Sequence, residues 1–418
     1  MAIASGEIEA DTVARGGARE ELASGWALLV AATVGSGAGA ASLIIYSLGV
    51  FVAPLQSAFG WSRGDITAAV LYCSAGLVLA APALGWLIDR YGERRIALVS
   101  IPAFAAVLWL LSTADGELDF FYLCFFLAAA LGAGTTPILY TRAVAQHFDR
   151  ARGLALGITL AGPGTAAVLL PPFVVATLGA DGAWRDGFRA LALVALAAWP
   201  LVWLWLRPAP TAHGRAAAAT GMARRAAFAS RVFWTLVVTF ALVAMAAASI
   251  VVHMVPMLKD AGLDAARAAQ IASLIGIGVI LGRLLIGWLI DHLFAPRVAA
   301  TIFAIAAVGC VLLAQGGPAQ APVAAFLIGF ALGAEVDLMA YLTSRYFGLR
   351  HYGTIYGTVY SCFWIGIAGG PALTGWLFDA TGGYAVALWG IVALFAIGAF
   401  AALTLPRFEG WRARIGQE

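Results

Sequence analysis

Gly85-Trp86-Leu87-Ile88-Asp89-Arg90-Tyr91-Gly92-Glu93-Arg94-Arg95 closes a long apolar run, and its first part returns half a chain later as Gly287-Trp288-Leu289-Ile290-Asp291-His292. Five of the six aligned positions are identical at an offset of 202 residues, and Gly76 and Gly278 keep that offset upstream. Self-similarity at a fixed spacing takes priority in reading a sequence because it sets the architecture. Weaker echoes agree: Tyr140 and Phe148 answer Tyr341 and Phe347, and Gly182-Ala183-Trp184-Arg185 answers Gly382-Gly383-Tyr384. The 418 residues therefore read as two related halves.

Composition fixes the environment of both halves. The chain is 62% hydrophobic and 11% charged, with a mean hydropathy of +0.91, whereas soluble domains carry about a quarter charged residues. The apolar residues fall in twelve runs, at 26–55, 65–88, 96–113, 119–146, 153–178, 187–206, 232–257, 265–289, 298–315, 321–345, 354–377 and 384–405. Runs of this kind suit membrane helices, which need about 20 apolar residues. Hydrocarbon cannot hydrogen-bond an open backbone, so helices are required; run length and the lack of strict alternation exclude a β-barrel. The expected fold is all-α, with twelve transmembrane helices in two pseudo-symmetric six-helix halves. The polar stretch 207–230, with two prolines and four arginines, reads as their linker. The division expected is a tail at 1–24, halves at 25–206 and 231–406, the linker at 207–230, and a tail at 407–418.

Loop charge orients the bundle. With the termini inside, nineteen of the 25 basic residues fall in cytoplasmic segments and five in outer loops, leaving Arg283. That asymmetry places both termini in the cytoplasm of a bacterial-type inner membrane. The first 24 residues mix acids and arginines and have no apolar core of a leader, so no cleaved signal peptide is expected. The four cysteines sit singly inside apolar runs without metal-ligand spacing, which reads as inert thiols, with no metal and no cofactor.

Three charges interrupt membrane-length helices, where an ionised group costs several kcal/mol unless it is paired or wet. Arg283 lies eight residues before Asp291, roughly 12 Å in from the helix end at about 1.5 Å per residue; its counterpart in the first half is Ala81. Arginine stays charged and grips a carboxylate with two parallel hydrogen bonds, so it suits an anion site. The bland reading is an arginine paired with a neighbouring acid. Glu335 and Asp337, in Gly333-Ala334-Glu335-Val336-Asp337-Leu338, also lack charged counterparts. Two residues apart on a helix, they point about 200° apart and cannot both face one cavity squarely. Burial disfavours an ionised carboxyl and a nearby cation favours it, so either acid is a candidate proton carrier; the alternative is a static ion pair with Arg283. Tyr46, Tyr140, His253, Tyr341 and Trp364 are further candidates for lining a substrate site, against packing or interface roles for each. Arg142 is expected close enough to the inner surface to be solvated.

The Gly-x-x-x-Asp-Arg-x-Gly-x-Arg-Arg string between apolar helices, with its partial copy half a chain later, resembles the signature loop of the major facilitator superfamily of transporters. Gly282-Arg283-Leu284-Leu285-Ile286-Gly287, together with Tyr46-Ser47-Leu48-Gly49-Val50-Phe51 and Phe59-Gly60-Trp61-Ser62-Arg63, resembles its monocarboxylate-porter and oxalate/formate-exchanger branch. The likeness covers about 25–405. It implies that Arg283 binds a substrate carboxylate, and that Gly85, Asp89, Arg90, Gly92, Arg94, Arg95 and Asp291 form a gating loop that locks the inner face. Asp89 would then sit near a helix N-terminus of the other half, which favours a carboxylate, and the arginines would add ion pairs. The chain departs from that branch where proton-coupled animal members carry an acid (here Val279) and a lysine (here Val50), and it lacks the helix-eleven lysine of oxalate exchangers. Glu335 or Asp337 would have to replace the missing acid, and a dianion is disfavoured by a single buried cation.

The expected protein is a secondary transporter, not an enzyme, taking up a small organic anion (a monocarboxylate) with a proton by alternating access. It would work in the lipid bilayer as a monomer, with no nucleic-acid partner. Export of drugs or hydrophobic metabolites and organic-anion exchange are the alternatives within the fold. A membrane enzyme or receptor is disfavoured, since the sequence shows no nucleophile–base pair, phosphate loop or metal cluster. The charge asymmetry makes a direct prediction: cysteines placed within 207–230 should react with impermeant thiol reagents after the membrane is opened and stay silent in intact cells. Labelling from outside would reverse the orientation.

Overall fold

The computed structural model describes residues 17–178, 183–206, 221–408 and 411. The expected tail and linker lie partly outside these residues, as does Gly182 of the outer-turn echo. Among the described residues fifteen α-helices build twelve crossings. They are α1 (Ala18–Gly37), α2 (Ala40–Phe59), α3 (Arg63–Tyr91), α4 (Glu93–Leu111), α5 (Leu118–Leu131), α6 (Pro137–His147), α7 (Arg152–Leu178), α8 (Trp184–Trp205), α9 (Arg224–Ala229), α10 (Arg231–Asp260), α11 (Ala265–His292), α12 (Ala295–Leu332), α13 (Glu335–Phe347), α14 (Tyr352–Thr381) and α15 (Ala385–Leu403).

Among the described residues eleven segments are long and apolar enough to span a membrane. One of them, Ala295–Phe347, has 53 residues. At about 1.5 Å per residue a straight helix of that length would reach roughly 80 Å, far beyond a hydrocarbon core of about 30 Å. It folds back at Gly317 (φ 53°, ψ −141°), a conformation that needs glycine, with Pro318 beside it. Spans 9 and 10 are therefore the two arms of this one segment. In order, span 1 is α1 with α2, span 4 is α5 with α6, and spans 2, 3, 5, 6, 7, 8, 11 and 12 are α3, α4, α7, α8, α10, α11, α14 and α15. Helix α1 begins at Ala18, within the expected tail. The described part of the linker holds α9, and the Met222 N–H donates to the Phe347 carbonyl at 2.9 Å.

Three spans break midway, each at small residues. Span 1 breaks at Ala38-Gly39, span 4 at the 3-10 turn Gly132–Thr135 followed by extended Thr136, and span 10 at Gly333-Ala334. Freed backbone groups inside a membrane must find partners. At the first break the Ala40 N–H donates to Thr135 Oγ1 (2.9 Å), Ser42 Oγ to the Ser36 carbonyl (3.0 Å) and Ser36 Oγ to the Thr159 carbonyl (2.8 Å). Spans 1, 4 and 5 are thereby tied together in the first half. The third break packs against span 8, where a Cβ on Gly333 would collide with the Val279 carbonyl.

Among the described residues the halves meet most closely at two crossings. Span 2 lies on span 11 at Gly85 and Gly353, each packed on the other's carbonyl with no room for a Cβ. Span 5 lies on span 8 at Gly153 and Gly287, where a Cβ on Gly287 would come within 2.8 Å of the Gly153 carbonyl. Small residues permit such backbone approach, and here the repeat unit supplies one at each crossing. Both crossings lie toward the end of the bundle that carries the 89–95 loop and the described chain ends, hereafter the loop face. A methyl at the first crossing should penalise this arrangement by about 1–3 kcal/mol, the usual cost of overpacking. Gly85→Ala is therefore expected to leave insertion intact and to raise labelling of a cysteine at buried Ser344; unchanged labelling would show that the crossing does not hold the loop face shut.

Candidate functional site

The loop face is held by carboxylates of one half capping helices of the other. The first N–H groups of a helix have no partner inside it, and the helix dipole leaves partial positive charge there. Helix α14 has no side-chain cap of its own. Asp89, in the last turn of span 2, supplies it: Oδ1 accepts from the Gly353 N–H at 2.9 Å, and Oδ2 from the Thr354 N–H at 2.8 Å and Thr354 Oγ1 at 2.7 Å. Asp291, in span 8, does the same for α7, accepting from the N–H groups of Gly153 (2.6 Å) and Leu154 (3.0 Å). The His351 imidazole next to the first cap is pushed toward its neutral form by burial and by Arg224, Arg350 and Arg142, with Asp89 opposing.

Around Asp89 the charges differ from those expected. Gly92 turns the chain at φ 83°, which aims Glu93 inward. Glu93 Oε1 accepts from Arg142 at 2.5 Å and from Gln146 at 2.7 Å. Arg142 also lies 3.4 Å from Asp89. It is buried at 6% exposure, not solvated, because the break in span 4 and the short α6 carry it between spans 2 and 3. Among the described residues Arg90, Arg94 and Arg95 form no ion pair, contrary to expectation. They lie on the outer side of the loop, where Arg90 stacks on Trp86 and Tyr91 and Arg94 donates to the Trp203 carbonyl at 2.7 Å. The ion pair across the halves is instead Arg345 with Asp149, at 3.0 Å, and Arg152 donates to Ser344 Oγ at 3.2 Å. Glu21 steadies this loop by accepting from the N–H groups of Arg150 and Ala151, both at 3.1 Å.

Beyond the crossings lies the second cluster. Arg283, half-buried on span 8, donates to the Leu160 carbonyl of span 5 in the opposite half, and its Nε has no partner. Glu335 and Asp337 are 5% and 0% exposed, and Glu335 Oε1 and both Asp337 oxygens lack hydrogen bonds. Arg283 acts electrostatically on both acids and on Tyr46. It forms no ion pair within 4.0 Å among the described residues. The static bridge weighed as an alternative is therefore not made here. The break at Gly333-Ala334 sets both acids in the first turn of α13, at a helix N-terminus, still about 200° apart around the helix axis. A cavity of about 250 Å³ opens between spans 5 and 8, lined by Ala161, Gly164, Thr165, Val168 and Leu169 on one side and Val279, Ile280, Arg283 and Leu284 on the other.

The remaining candidates separate. Tyr46 joins Arg283. Trp364 packs edge-on against Tyr360 of its own span, ring centroids 6.2 Å apart. Tyr140 is packed on Gly35 within the first half, its hydroxyl unpartnered. Tyr341 lies under the Arg345 guanidinium at 5.1 Å, in the loop-face network. His253, at the far end of span 7, is engaged at both nitrogens, with the Pro371 carbonyl at 3.1 Å and the Tyr384 hydroxyl at 3.3 Å. Sequence reading missed the tyrosines of span 11, although Tyr352, Tyr356, Tyr360 and Trp364 recur every four residues, a helical stripe visible in the chain itself.

Residues 34–368 match the family model of the Major Facilitator Superfamily. Among curated proteins the chain is similar to monocarboxylate transporter 11 of Homo sapiens, with 28% identity over 402 residues, covering 92% of this chain and 83% of the relative. It is 28% identical over 377 residues to monocarboxylate transporter 13 of Bos taurus, covering 87% and 86%. It is 26% identical over 365 residues to a gallate transporter of Pseudomonas putida, covering 74% and 79%. Among solved structures it shares the fold of the E. coli fucose:proton symporter (TM-score 0.70, 16% identity, 91% of this chain and 98% of that chain). It also shares the fold of the human organic anion transporter MFSD10 (TM-score 0.70, 16% identity, 90% and 99%).

The buried charges at the loop face give a stability prediction. Arg142→Ala strands Glu93 as a buried carboxylate without its cation, which should cost about 3–5 kcal/mol. The Tm of the detergent-purified protein should fall clearly, and adding Glu93→Gln should recover part of the loss. The cap itself is tested by Asp89→Asn, which keeps one acceptor and loses the charge. At about 0.5–2 kcal/mol for a cap, labelling of the loop-face interior should rise roughly two- to thirty-fold. Equal Tm and equal labelling in wild type and variants would remove both roles.

Proposed function

Because the chain belongs to the Major Facilitator Superfamily, whose members are transporters and not enzymes, we propose that it takes up a small organic anion, a monocarboxylate, together with a proton. The observation that carries this reading is Arg283, a permanent cation with a free Nε, set beside a cavity between the halves and left unpaired by two buried acids within its electrostatic reach. A carboxylate entering the cavity completes the arginine's hydrogen bonding. An ionised carboxyl buried without a partner costs several kcal/mol. Loading a proton on Glu335 or Asp337 removes that cost and leaves Arg283 free to hold the anion. Releasing the proton hands the arginine back to the acids and expels the substrate. Gly85, Asp89, Gly92 and Asp291 act as the gate at the loop face, with Glu93 and Arg142 bracing Asp89.

The positive-inside asymmetry makes the loop face cytoplasmic, so this arrangement is closed to the cytoplasm. A single copy contains both halves and the whole site. The names of the relatives, monocarboxylate and gallate transporters, support an organic acid as cargo. The mainly apolar lining of the cavity favours, as a second reading, export of a hydrophobic metabolite, which would run against the inward proton gradient.

The test separates binding from coupling. Losing the arginine's grip on a carboxylate, about 1.5–3 kcal/mol, should weaken affinity roughly ten- to a hundred-fold. Arg283→Lys keeps the charge but loses the fork, so it should be nearly as impaired as Arg283→Ala. In proteoliposomes, Glu335→Gln or Asp337→Asn at the proton-carrying position should retain substrate exchange and lose pH-driven accumulation. Full accumulation in both acid variants would remove the acids from the mechanism, and unchanged affinity in Arg283→Ala would remove the arginine.

A further inference from the structure

Spans 5 and 8 touch and then part. Gly153 rests against Gly287, and one turn on a Cβ at Gly157 would come within 2.9 Å of the Arg283 carbonyl. Two turns further along span 5, at Gly164, a Cβ would meet nothing within 4 Å. The space that opens there is the cavity of about 250 Å³, and Arg283 stands where it begins. Its walls are of one kind. Val168 and Leu169 from span 5 and Ile280 and Leu284 from span 8 are all exposed apolar side chains. The wall hydroxyl of Thr165 has spent its proton on the Ala161 carbonyl, at 3.0 Å. Among the described residues the lining has one charged group, Arg283, and its Nε has no partner.

A polyhydroxylated ligand would give up water here for almost no hydrogen bonds in return. Exposed apolar surface beside a single cation suits a ligand divided in the same way, with an anionic head and an apolar body. The size is also informative. A dry cavity of about 150 Å³ holds benzene, so one of about 250 Å³ has room for a chain of about six carbons. We propose, resting on the anion reading above, that the crevice between spans 5 and 8 is a tail subsite. The cargo is a carboxylate with an unbranched alkyl chain of up to about six carbons. Its head pairs with Arg283 and its chain lies between the two spans. Gly164 is the residue that decides chain length, because a side chain in its place would occupy the seat.

The test is calorimetric binding to the full-length protein in lipid nanodiscs, with empty nanodiscs subtracted. The ligands are acetate, butyrate, hexanoate, octanoate and the uncharged hexanol. Each buried methylene should tighten binding roughly three- to four-fold, so hexanoate should exceed butyrate about ten-fold, with the gain levelling off by octanoate. Gly164→Leu and Val168→Phe fill the crevice from one wall. Each should cut the ratio of hexanoate to acetate affinity at least roughly ten-fold. If one variant fails to fold, the other carries the test. Equal affinity for all four acids overturns the tail subsite and leaves the anion reading standing. Acids that do not bind, or hexanol that binds as tightly as hexanoate, overturn the anion reading and the subsite with it. A chain-length preference that both variants keep in full overturns the seat between spans 5 and 8 and makes the crevice a space for lipid chains.

Discussion

A carboxylate from one half holds the open end of a helix in the other, and this happens twice. The first N–H groups of a helix have no partner inside it, and where they are buried from water they must find one outside it. Asp89 meets those of span 11, and Asp291 meets those of span 5. The neighbouring features follow from that need. The aspartates reach the facing helices because Gly85 and Gly287 let the backbones touch there. The turn after Asp89 must be sharp, which is why Gly92 takes a positive φ. Arg142 and Glu93 form a buried pair behind the first aspartate, for which the second half has no equivalent: the counterpart of Glu93 at the repeat offset is Ala295.

The site deeper in the bundle owes its shape to broken helices. Spans 1, 4 and 10 each lose helical regularity near their middles, and the breaks cluster on small residues that admit a neighbour's backbone. Two consequences differ in kind. In the first half the freed groups are satisfied by threonine and serine hydroxyls, so that break is structural. In the second half the break produces a helix N-terminus carrying two acids with unsatisfied oxygens beside an arginine, which is an unstable arrangement unless something else enters it. The asymmetry between halves, visible as charges without counterparts, thus marks where a scaffold acquired chemistry.

Much of the fold was legible because membrane helices announce themselves by length and polarity. The repeat at 85–90 and 287–292 also identified the pieces at the crossings. What sequence could not give was direction. Hydropathy reads a helix as a continuous cylinder, so the breaks were invisible, and with them the fact that Glu335 and Asp337 stand at a helix N-terminus. Arg142 looked solvated because its distance from the apolar run's end was counted along an unbroken helix. Arg90, Arg94 and Arg95 look like pairing groups in one dimension, yet the loop turns them outward and brings Glu93 in. Helix α1 extends before its apolar run because Glu21 finds backbone partners in a loop more than a hundred residues away. The tyrosine stripe of span 11 was legible as a period and passed over because tyrosine in a membrane helix is so often mere packing.

The glycine crossings also bear on how fast such a molecule can work. Where interlocking side chains meet, one element must climb over another to move, and the barrier is built into the shapes. Here bare backbone rests on bare backbone, so the two contact points behave as smooth bearings with little to climb. The resistance to motion then resides in a handful of carboxylate–amide contacts beside them. Bearing and catch are separate groups of atoms, and a single change of charge at a catch can reset the tempo of the cycle while the path of the motion stays the same.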